Sequence, residues 1–382
     1  MNEPFIYHKP VSGAAFAGRS AEARGLANML SSGENVVIYE PPKSGKHSLM
    51  MQATFIANQK GTPFCTAEVD MSAIRSSKDF ACALGSAAVN ACCTGPGECA
   101  EAVRTLLDGT KLVFDPVQYS AGGASVSASW DLGEEDFTAL LSLPYRLSEM
   151  KGRRIVVILD EFQNIMHFDD ADMMLRLAER VLKDEASGGR PAAYLFSGSK
   201  VNAMHEIFGT HRRFFRLVER IRLTEISEAD IVSHVNRGFN ASGKVMEKDI
   251  LLGACRLFRN NIFYVNLLCS ICDSLTRGYV VEATVKDALA RMLAIYGPRY
   301  YAIMDDLTGF QARLLRAVLE GHSKFTGADV IEDYGLNSSA NVKRLRDALC
   351  KKEVISFDEE GRPYVIDPLF EYWVRTYYFK LQ

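Results

Sequence analysis

The sequence predicts an α/β fold in which a parallel-sheet domain precedes an all-α segment and a winged-helix domain. Apolar runs at 36–39, 155–159 and 192–196 are typical of strands buried on both faces of a parallel sheet. Residues 228–296 show only helical periodicity. Three amphipathic stretches and a glycine-containing hairpin follow, in the order of a winged helix-turn-helix.

Length and composition limit the classes of function. The chain has 382 residues, of which 48% are hydrophobic and 24% charged, and its net charge is −3. Two or three domains are expected at this length, and the charge gives no global attraction to nucleic acid or anionic membrane. The sequence has neither a basic-then-apolar leader nor an apolar run of about 18 residues, so we expect a cytoplasmic protein without membrane contact.

Nine cysteines are scattered over apolar segments. The clusters are Cys92 and Cys93 with Cys99, and a C-x-x-C pair, Cys269 and Cys272, on a helical pattern with no second ligand pair nearby. Zinc binding or redox chemistry is the alternative, and we favour buried, reduced thiols.

The strongest local signal is NVVIYEPPKSGKHSLMM at 35–51. A short buried strand enters a glycine-containing loop, and a helix begins at Lys46. Backbone N–H groups of such a loop and the positive helix end point at an anion, and the lysine adds charge for the outer phosphates. The candidate nucleotide-binding residues of this P-loop are Pro42, Lys43, Ser44, Gly45, Lys46, His47 and Ser48.

Two positions depart from the full pattern Gly-x-x-x-x-Gly-Lys-Ser/Thr. Glu40 replaces the first glycine, and Pro41 restricts Glu40 to extended conformations. The carboxylate of Glu40 also enters a pocket built for anions. His47 replaces the hydroxyl that binds Mg²⁺, and imidazole is a poor ligand for that hard ion. The loop therefore predicts nucleotide binding more strongly than efficient turnover.

A second motif, RIVVILDEFQNI, places Asp160 and Glu161 at the carboxyl end of a buried strand. Ligands of open α/β sheets bind at this edge. Asp160 could hold Mg²⁺ and Glu161 could polarise an attacking water, whereas an ordinary acidic helix cap is the alternative. The phosphate loop upstream favours the catalytic interpretation. The strand at 192–196 ends in small polar residues, Ser197 to Ser199, beside the same edge.

Three further stretches have open roles. The basic stretch 211–222, HRRFFRLVERIR, could supply an arginine to a γ-phosphate, in its own subunit or a neighbour's, or form a solvated or ion-paired basic face. The turn-rich residues 94–130 are expected to form an insertion with short helices or an extended loop. We expect no strand among the helices of 228–296, and Gly297 with Pro298 marks their end.

The third helix of the winged-helix segment carries enough basic residues to touch phosphates, including Lys343, Arg344 and Arg346. Residues 303–382 nevertheless contain 11 Lys and Arg against 13 Asp and Glu, and the wing tip is acidic. Since duplex binding needs several net phosphate contacts, we favour a protein partner at the winged helix or at 211–222, with DNA as the alternative.

The order of these motifs resembles the prokaryotic archaeal-type ATPases, a branch of the AAA+ and STAND P-loop NTPases. The resemblance rests on FAGRSAE at 16–22, the PPKSGKHSL loop, EVD, VVILDEFQNI, YLFSGS, FFR at 214–216 and YVIDPLFEYWVR near the end. It covers nearly the whole chain. It implies a P-loop NTPase sheet domain at 1–223, an all-α lid at 224–298 and a winged helix at 299–382.

The resemblance also implies ATP as the ligand, with Mg²⁺, and a role for each matching residue. Gly18 and Arg19 would lie near the adenine, Lys46 and Ser48 would bind phosphates, Asp160 would bind the metal and Glu161 would activate the water. Ser197 to Ser199 would sense the γ-phosphate, and Arg216 would be the finger-like arginine. The expected function is a slow ATPase that acts as a nucleotide-dependent switch. The alternative is a non-catalytic regulator or scaffold with a degenerate P-loop that works through its winged helix.

Overall fold

A computed structural model describes residues 3–186 and 188–381. The chain forms two compact units. The sheet unit contains Ser20–Glu40 and Leu49–Leu223, and the helical unit contains the segment up to Arg19, Pro41–Ser48 and the segment from Thr224 onward.

The sheet unit is built on five parallel strands. They are β1 Val36–Tyr39, β2 Cys65–Asp70, β5 Ile155–Asp160, β6 Ala192–Gly198 and β7 Glu219–Arg220, and their spatial order is β2-β5-β6-β1-β7. Every residue of β1, β5 and β6 is buried, which confirms the strands predicted from continuous apolar runs. The short edge strand β7 lies inside the basic stretch 211–222 and has no apolar run, so the sequence pattern misses it.

Helices surround this sheet and alternate with its strands. They are α1 Ser20–Ser32, α2 Lys46–Gln59, α3 Ser77–Cys92, α4 Pro96–Leu106, α5 Pro116–Ser120, α6 Glu134–Lys151, α7 Ala171–Glu185 and α8 Val201–Phe208, with a 3-10 turn at Phe162–His167. Pro144 lies inside α6 without ending it. Its neighbours Leu143 and Leu147 are fully buried, so core packing outweighs the hydrogen bond that a proline removes.

The insertion at 94–130 contains α4 and α5, which confirms the expected short helices, and a hairpin that the sequence does not reveal. The hairpin pairs β3 Leu112–Phe114 with β4 Val126–Ala128. Val126 is fully buried, and its backbone N–H donates to Ser86 Oγ of α3 at 2.9 Å. The insertion is therefore anchored on α3 through the core of the sheet unit.

The helical unit has one continuous core that runs from Phe5 to Val374. Its helices are α9 Glu228–Ala241, α10 Lys248–Leu257, α11 Ile262–Leu275, α12 Glu282–Asp305, α13 Gly309–Leu319, α14 Ala328–Asp333, α15 Ser339–Lys351 and α16 Pro368–Trp373, with a 3-10 turn at Gly13–Ala15 and a π-helical turn at Val374–Tyr378. Its strands are β8 Val245–Met246, β9 Tyr279–Val280, β10 Ile355–Phe357 and β11 Pro363–Val365. Helices α13 to α15 and the antiparallel pair β10–β11 form the predicted winged helix.

Two predictions for this unit are wrong. Strands β8 and β9 pair in parallel between the helices, where none was expected. Helix α12 also continues through Gly297 and Pro298 to Asp305, because Tyr300 and Met304 beyond the proline are buried in the core. Both errors arise where tertiary packing overrides a weak local signal.

All nine cysteines are free thiols. Burial raises the pKa of Cys93 and Cys255 to about 11 and that of Cys272 to about 12, so these thiols stay protonated at neutral pH. Within the described ranges, none of the helices is both long and apolar enough to cross a membrane.

Candidate functional site

The predicted phosphate loop joins β1 to α2. The backbone turns through left-handed conformations at Lys43, with φ of 65°, and at Gly45, with φ of 94°. Glycine suits the second position, because a side chain is strained at that φ. Helix α2 then begins at Lys46, so the N–H groups of its first turn follow the loop directly.

Two basic side chains brace this loop. Lys46 is 7% exposed, and its Nζ donates to the carbonyl of Pro41 at 3.1 Å. Arg19 donates from NH1 to the carbonyl of Ser44 at 2.5 Å and from Nε to the carbonyl of Thr224 at 2.7 Å. Of the predicted site residues, Arg19 and Lys46 are thus in contact with the loop backbone.

The other predicted loop residues differ in their surroundings. The Ser48 Oγ accepts a hydrogen bond from the backbone N–H of Val11 at 3.2 Å. The Ser44 Oγ is buried and has no hydrogen-bond partner among the described residues. His47 is half-buried and Pro42 is exposed. Gly18 takes φ of 62°, and a Cβ there would lie 2.7 Å from Ile226 Cγ2, so the position has no space for a side chain.

Both the backbone and the side chain of Glu40 are hydrogen-bonded within the sheet unit. Its backbone N–H donates to the carbonyl of Gly198 at 3.4 Å, and its Oε1 accepts from the backbone N–H of Leu223 at 3.3 Å. Arg220 lies 3.8 Å above the ring of Tyr39. The carboxylate that replaces the first glycine therefore has a structural partner, which no local sequence signal indicates.

The acidic pair follows β5. Asp160 is 7% exposed, and Glu161 takes the left-handed conformation, with φ of 52° and ψ of 41°. The Glu161 Oε2 accepts from Ser199 Oγ at 2.7 Å, from Ser199 N at 3.3 Å and from Gln163 Nε2. These donors orient the carboxylate. Gln163 is not among the predicted site residues, although its position two residues after Glu161 indicates that the two side chains can meet.

The strand order explains why Ser199 reaches Glu161. Strand β6 lies between β5 and β1, and neighbouring strands are about 4.8 Å apart. The carboxyl ends of β1, β5 and β6 thus share one edge, as the sequence predicts. At the end of β6 the Ser197 Oγ is fully buried and has no hydrogen-bond partner among the described residues.

Arg216 lies at the amino ends of the strands, opposite the carboxyl ends at which Glu161 and Ser199 lie. It takes φ of 67° and lines a cavity of about 110 Å³ with Gly33, Glu34 and Glu219, at the amino ends of β1 and β7. The structure therefore brings Glu161 together with Ser199 and leaves Arg216 at the opposite ends of the strands.

The donor set for Mg²⁺ is small. No group of three or more His, Cys, Asp or Glu able to hold a metal occurs in residues 3–186 and 188–381. Mg²⁺ usually takes only one or two carboxylates and completes its shell with water and substrate phosphates. Asp160 fits this partial role, and His47 offers no oxygen.

Residues 298–376 match the family model "Probable winged helix domain". No curated protein matches the chain in sequence. Among solved structures, the chain is similar to the Walker-type ATPase PABY2304 of Pyrococcus abyssi, with 14% identity, a TM-score of 0.65 and coverage of 97% of this chain and 99% of that one.

Two structures from Aeropyrum pernix are also similar. The ORC2 protein, in ADPNP–ADP complexes, has 15% identity, a TM-score of 0.57 and coverage of 96% and 94%. The ORC1 protein, in complex with DNA, has 14% identity, a TM-score of 0.51 and coverage of 98% and 97%. The chain thus has the fold of these proteins, with a central parallel sheet, a helix-rich segment and a C-terminal winged helix.

Proposed function

We propose that this protein binds ATP through the loop after β1 and hydrolyses it slowly, as a nucleotide-dependent switch. The observation that carries the proposal is the loop itself. Gly45 supplies the left-handed turn, Lys46 supplies a buried ammonium, and α2 begins at that residue. Such a loop offers backbone N–H groups, a helix dipole and a cation to phosphates.

In this proposal Asp160 would hold Mg²⁺, which would neutralise phosphate charge when bound. Glu161 polarises the attacking water, and Ser199 and Gln163 keep its carboxylate oriented. Ser197 senses the γ-phosphate with its buried hydroxyl. Arg216, at the amino ends of the strands, acts on a nucleotide held by a neighbouring subunit. The proposed domains are 1–223, 224–298 and 299–382.

Thermal unfolding with ATP, ADP and Mg²⁺ added separately tests the proposal. At ATP concentrations about a hundred times Kd, binding raises the free energy of unfolding by about 2.7 kcal/mol. Lys46→Ala should remove most of this gain, whereas Lys60→Ala, at an exposed lysine, should keep it. A melting temperature that does not respond to millimolar ATP in the wild type would reject the proposal.

A specific observation favours the second candidate, a non-catalytic regulator. The hydroxyl of Ser48 is engaged by Val11, His47 supplies no hydroxyl, and Glu40 adds a negative charge. Phosphate release at saturating ATP separates the two functions. A rate equal to that of Glu161→Gln would establish binding without turnover.

We also propose that the winged helix contacts protein in preference to DNA. Several of its basic side chains are paired within the chain: Arg346 with Asp347 at 3.3 Å, Lys352 with Asp306 at 2.9 Å, and Arg362 with Asp358 at 2.8 Å. Lys343 and Arg344 are exposed. Gel shifts test this: complexes with duplex DNA should dissociate at about 150 mM salt. A complex that survives this salt and is lost in Lys343→Ala with Arg346→Ala would establish DNA as the partner.

A further inference from the structure

Lys43 leaves the phosphate loop and enters a cage of three aromatic rings in the helical unit. Its Nζ lies 3.9 Å from the ring centroid of Tyr296, 4.6 Å from that of Phe263 and 5.2 Å from that of Tyr264. All three distances are within the range over which an ammonium is attracted to the face of a ring. The left-handed backbone of Lys43 accompanies this arrangement.

The cage is connected to the winged helix. The Tyr264 hydroxyl donates to Asp367 Oδ1 at 2.8 Å. The same oxygen accepts from the backbone N–H groups of Leu369 at 2.9 Å and Phe370 at 3.3 Å, and so caps α16. One carboxylate thus joins the cage to the first turn of a helix that follows the wing.

A second path is made of aromatic rings in contact with one another. Tyr296 lies against Tyr300 with centroids 6.2 Å apart, and Tyr300 contacts Phe370 at 5.4 Å and Trp373 at 5.7 Å. Tyr300 and Phe370 are buried in the core of the helical unit. Because a packed core does not deform continuously, a change at the cage has to be accommodated along these rings.

An ordinary surface lysine keeps its ammonium in water while its stem covers apolar atoms. Lys43 differs, because burial lowers its pKa to about 8; the charge of Asp367 opposes this shift and that of Arg299 adds to it. The ammonium is therefore held among the rings at the cost of hydration, which identifies the cage as a specific contact.

We propose that Lys43 is a positioning residue that couples the phosphate loop to the winged helix through Phe263, Tyr264 and Tyr296. Nucleotide binding at the loop alters the contacts between the Lys43 ammonium and the three rings. The hydrogen bond from Tyr264 to Asp367 transmits this change to α16. Coupling of this kind is reciprocal, so a change at Tyr264 alters nucleotide affinity. The inference deepens the proposed function and rests on nucleotide binding at the loop.

A double-mutant cycle on nucleotide affinity tests the coupling. Lys43→Met removes the charge and keeps the stem, and Tyr264→Phe removes only the hydroxyl that bonds Asp367. Each should raise the Kd for ADP by about fivefold, the lower end of typical coupling factors. The double variant should fall short of the product of the two effects, since both break one path. Lys43→Arg retains a cation that stacks on rings and should restore most of the affinity.

Matched controls are Lys248→Met and Tyr279→Phe, at an exposed lysine and an exposed tyrosine of the same unit. Neither should change Kd. Hydrogen exchange of the backbone amides provides a second measurement, which would not change if Lys43 and Tyr264 had only a structural role. ADP should alter the protection of the amides of Leu369 and Phe370 in the wild type, and this response should disappear in Tyr264→Phe.

The outcomes separate the coupling from the proposed function. Multiplicative effects in the cycle, or an ADP response of α16 that persists in Tyr264→Phe, would overturn the coupling while nucleotide binding stands. Absence of nucleotide binding by the wild type would overturn both. If Lys43→Met fails to fold, Tyr264→Phe with Lys43→Arg still decides the question, because both keep the rings of the cage.

Discussion

The phosphate loop and the acidic pair after β5 differ in what holds their polar groups. At the acidic pair, side chains of the same unit orient the functional group: Ser199 and Gln163 donate to Glu161. In the loop, His47 occupies the position at which the full P-loop pattern has a metal-binding hydroxyl. The backbone turn at Gly45 and the start of α2 fit that pattern.

This difference separates two requirements of nucleotide chemistry. Binding of phosphates depends mainly on backbone N–H groups, a helix end and one lysine, which tolerate changes in neighbouring side chains. Turnover depends on a metal ion and an oriented water, and the side chains that hold these two cannot be changed without loss of rate. We therefore expect affinity and rate to respond differently to variants of the two regions.

The largest effect is expected at the acidic pair. Glu161→Gln should lower the rate of phosphate release by about a hundredfold or more and leave nucleotide affinity intact, because a positioned general base typically contributes about 10² to 10⁴ in rate. Steady-state phosphate release with calorimetric Kd values measures both. Glu135→Gln, at an exposed glutamate, is the control. An equal loss of binding in Glu161→Gln would assign that residue a structural role.

The next effect is expected in the loop. His47→Thr supplies the missing hydroxyl beside Lys46 and should raise Mg²⁺-dependent phosphate release by about tenfold, or about 1.4 kcal/mol in the barrier. The rate is measured at saturating ATP, and Glu161→Gln gives the blank. If His47→Thr is no faster than the wild type, then Glu40 or the rest of the loop limits turnover, and the contrast between the two regions loses its metal-based explanation.

A smaller effect is expected at Glu40. Glu40→Gln removes the charge and leaves an oxygen that can accept from Leu223 N, so the strand edge stays tethered. Removing one negative charge near bound phosphates should improve ATP affinity by about fivefold, or about 1 kcal/mol. Titration calorimetry checks this. The matched variant Glu34→Gln, at the amino end of β1, should leave Kd unchanged; an unchanged Kd in Glu40→Gln would place the carboxylate too far from the phosphates to matter.

The smallest effect concerns Lys43 and pH. Between its folded-state pKa of about 8 and the ordinary value of 10.5, the unfolded chain holds a proton that the folded chain has released. The free energy of unfolding contributed by this residue therefore rises with pH in that window. The charges of Asp367 and Arg299 act on the ammonium, and the rings of Tyr264 and Tyr296 lie against it. Burial keeps both tyrosines neutral there.

The change should stay below about 1 kcal/mol, since the side chain remains partly exposed to screening solvent. It is measured as the difference in stability between wild type and Lys43→Met from pH 7.5 to 9.5, with Lys248→Met as the control. A difference that is constant over this range, or falls with pH, would show that the cage does not disfavour the charged form.

Much of the fold follows from short-range patterns. The continuous apolar runs of β1, β5 and β6 can be buried only in the middle of a parallel sheet, so their position and type are predictable. Gly45 and Lys46 mark the phosphate loop because that turn needs a residue that tolerates positive φ and a cation at the helix start. The periodic helices of the winged helix are predictable for the same local reason.

Other features escape local analysis. Strand β7 is two residues long and half-exposed, and β8 with β9 is a pair of equally short strands, so neither leaves a periodic signal. Helix α12 passes through Pro298 because the buried residues beyond it belong to the common core. In each case the contacts that decide the structure come from distant parts of the chain.

The sequence by itself determined the loop, the acidic pair and the departures at Glu40 and His47, because each is a matter of residue type at a fixed spacing. Only the tertiary structure decided that the Glu40 carboxylate accepts a hydrogen bond from Leu223 and that aromatic rings of α11 and α12 surround the Lys43 ammonium. It also decided that Arg216 lies at the amino ends of the strands, whereas Glu161 lies at a carboxyl end. Spacing along the chain specifies local backbone geometry, whereas side-chain partners far apart in sequence are chosen by the packing of the whole unit.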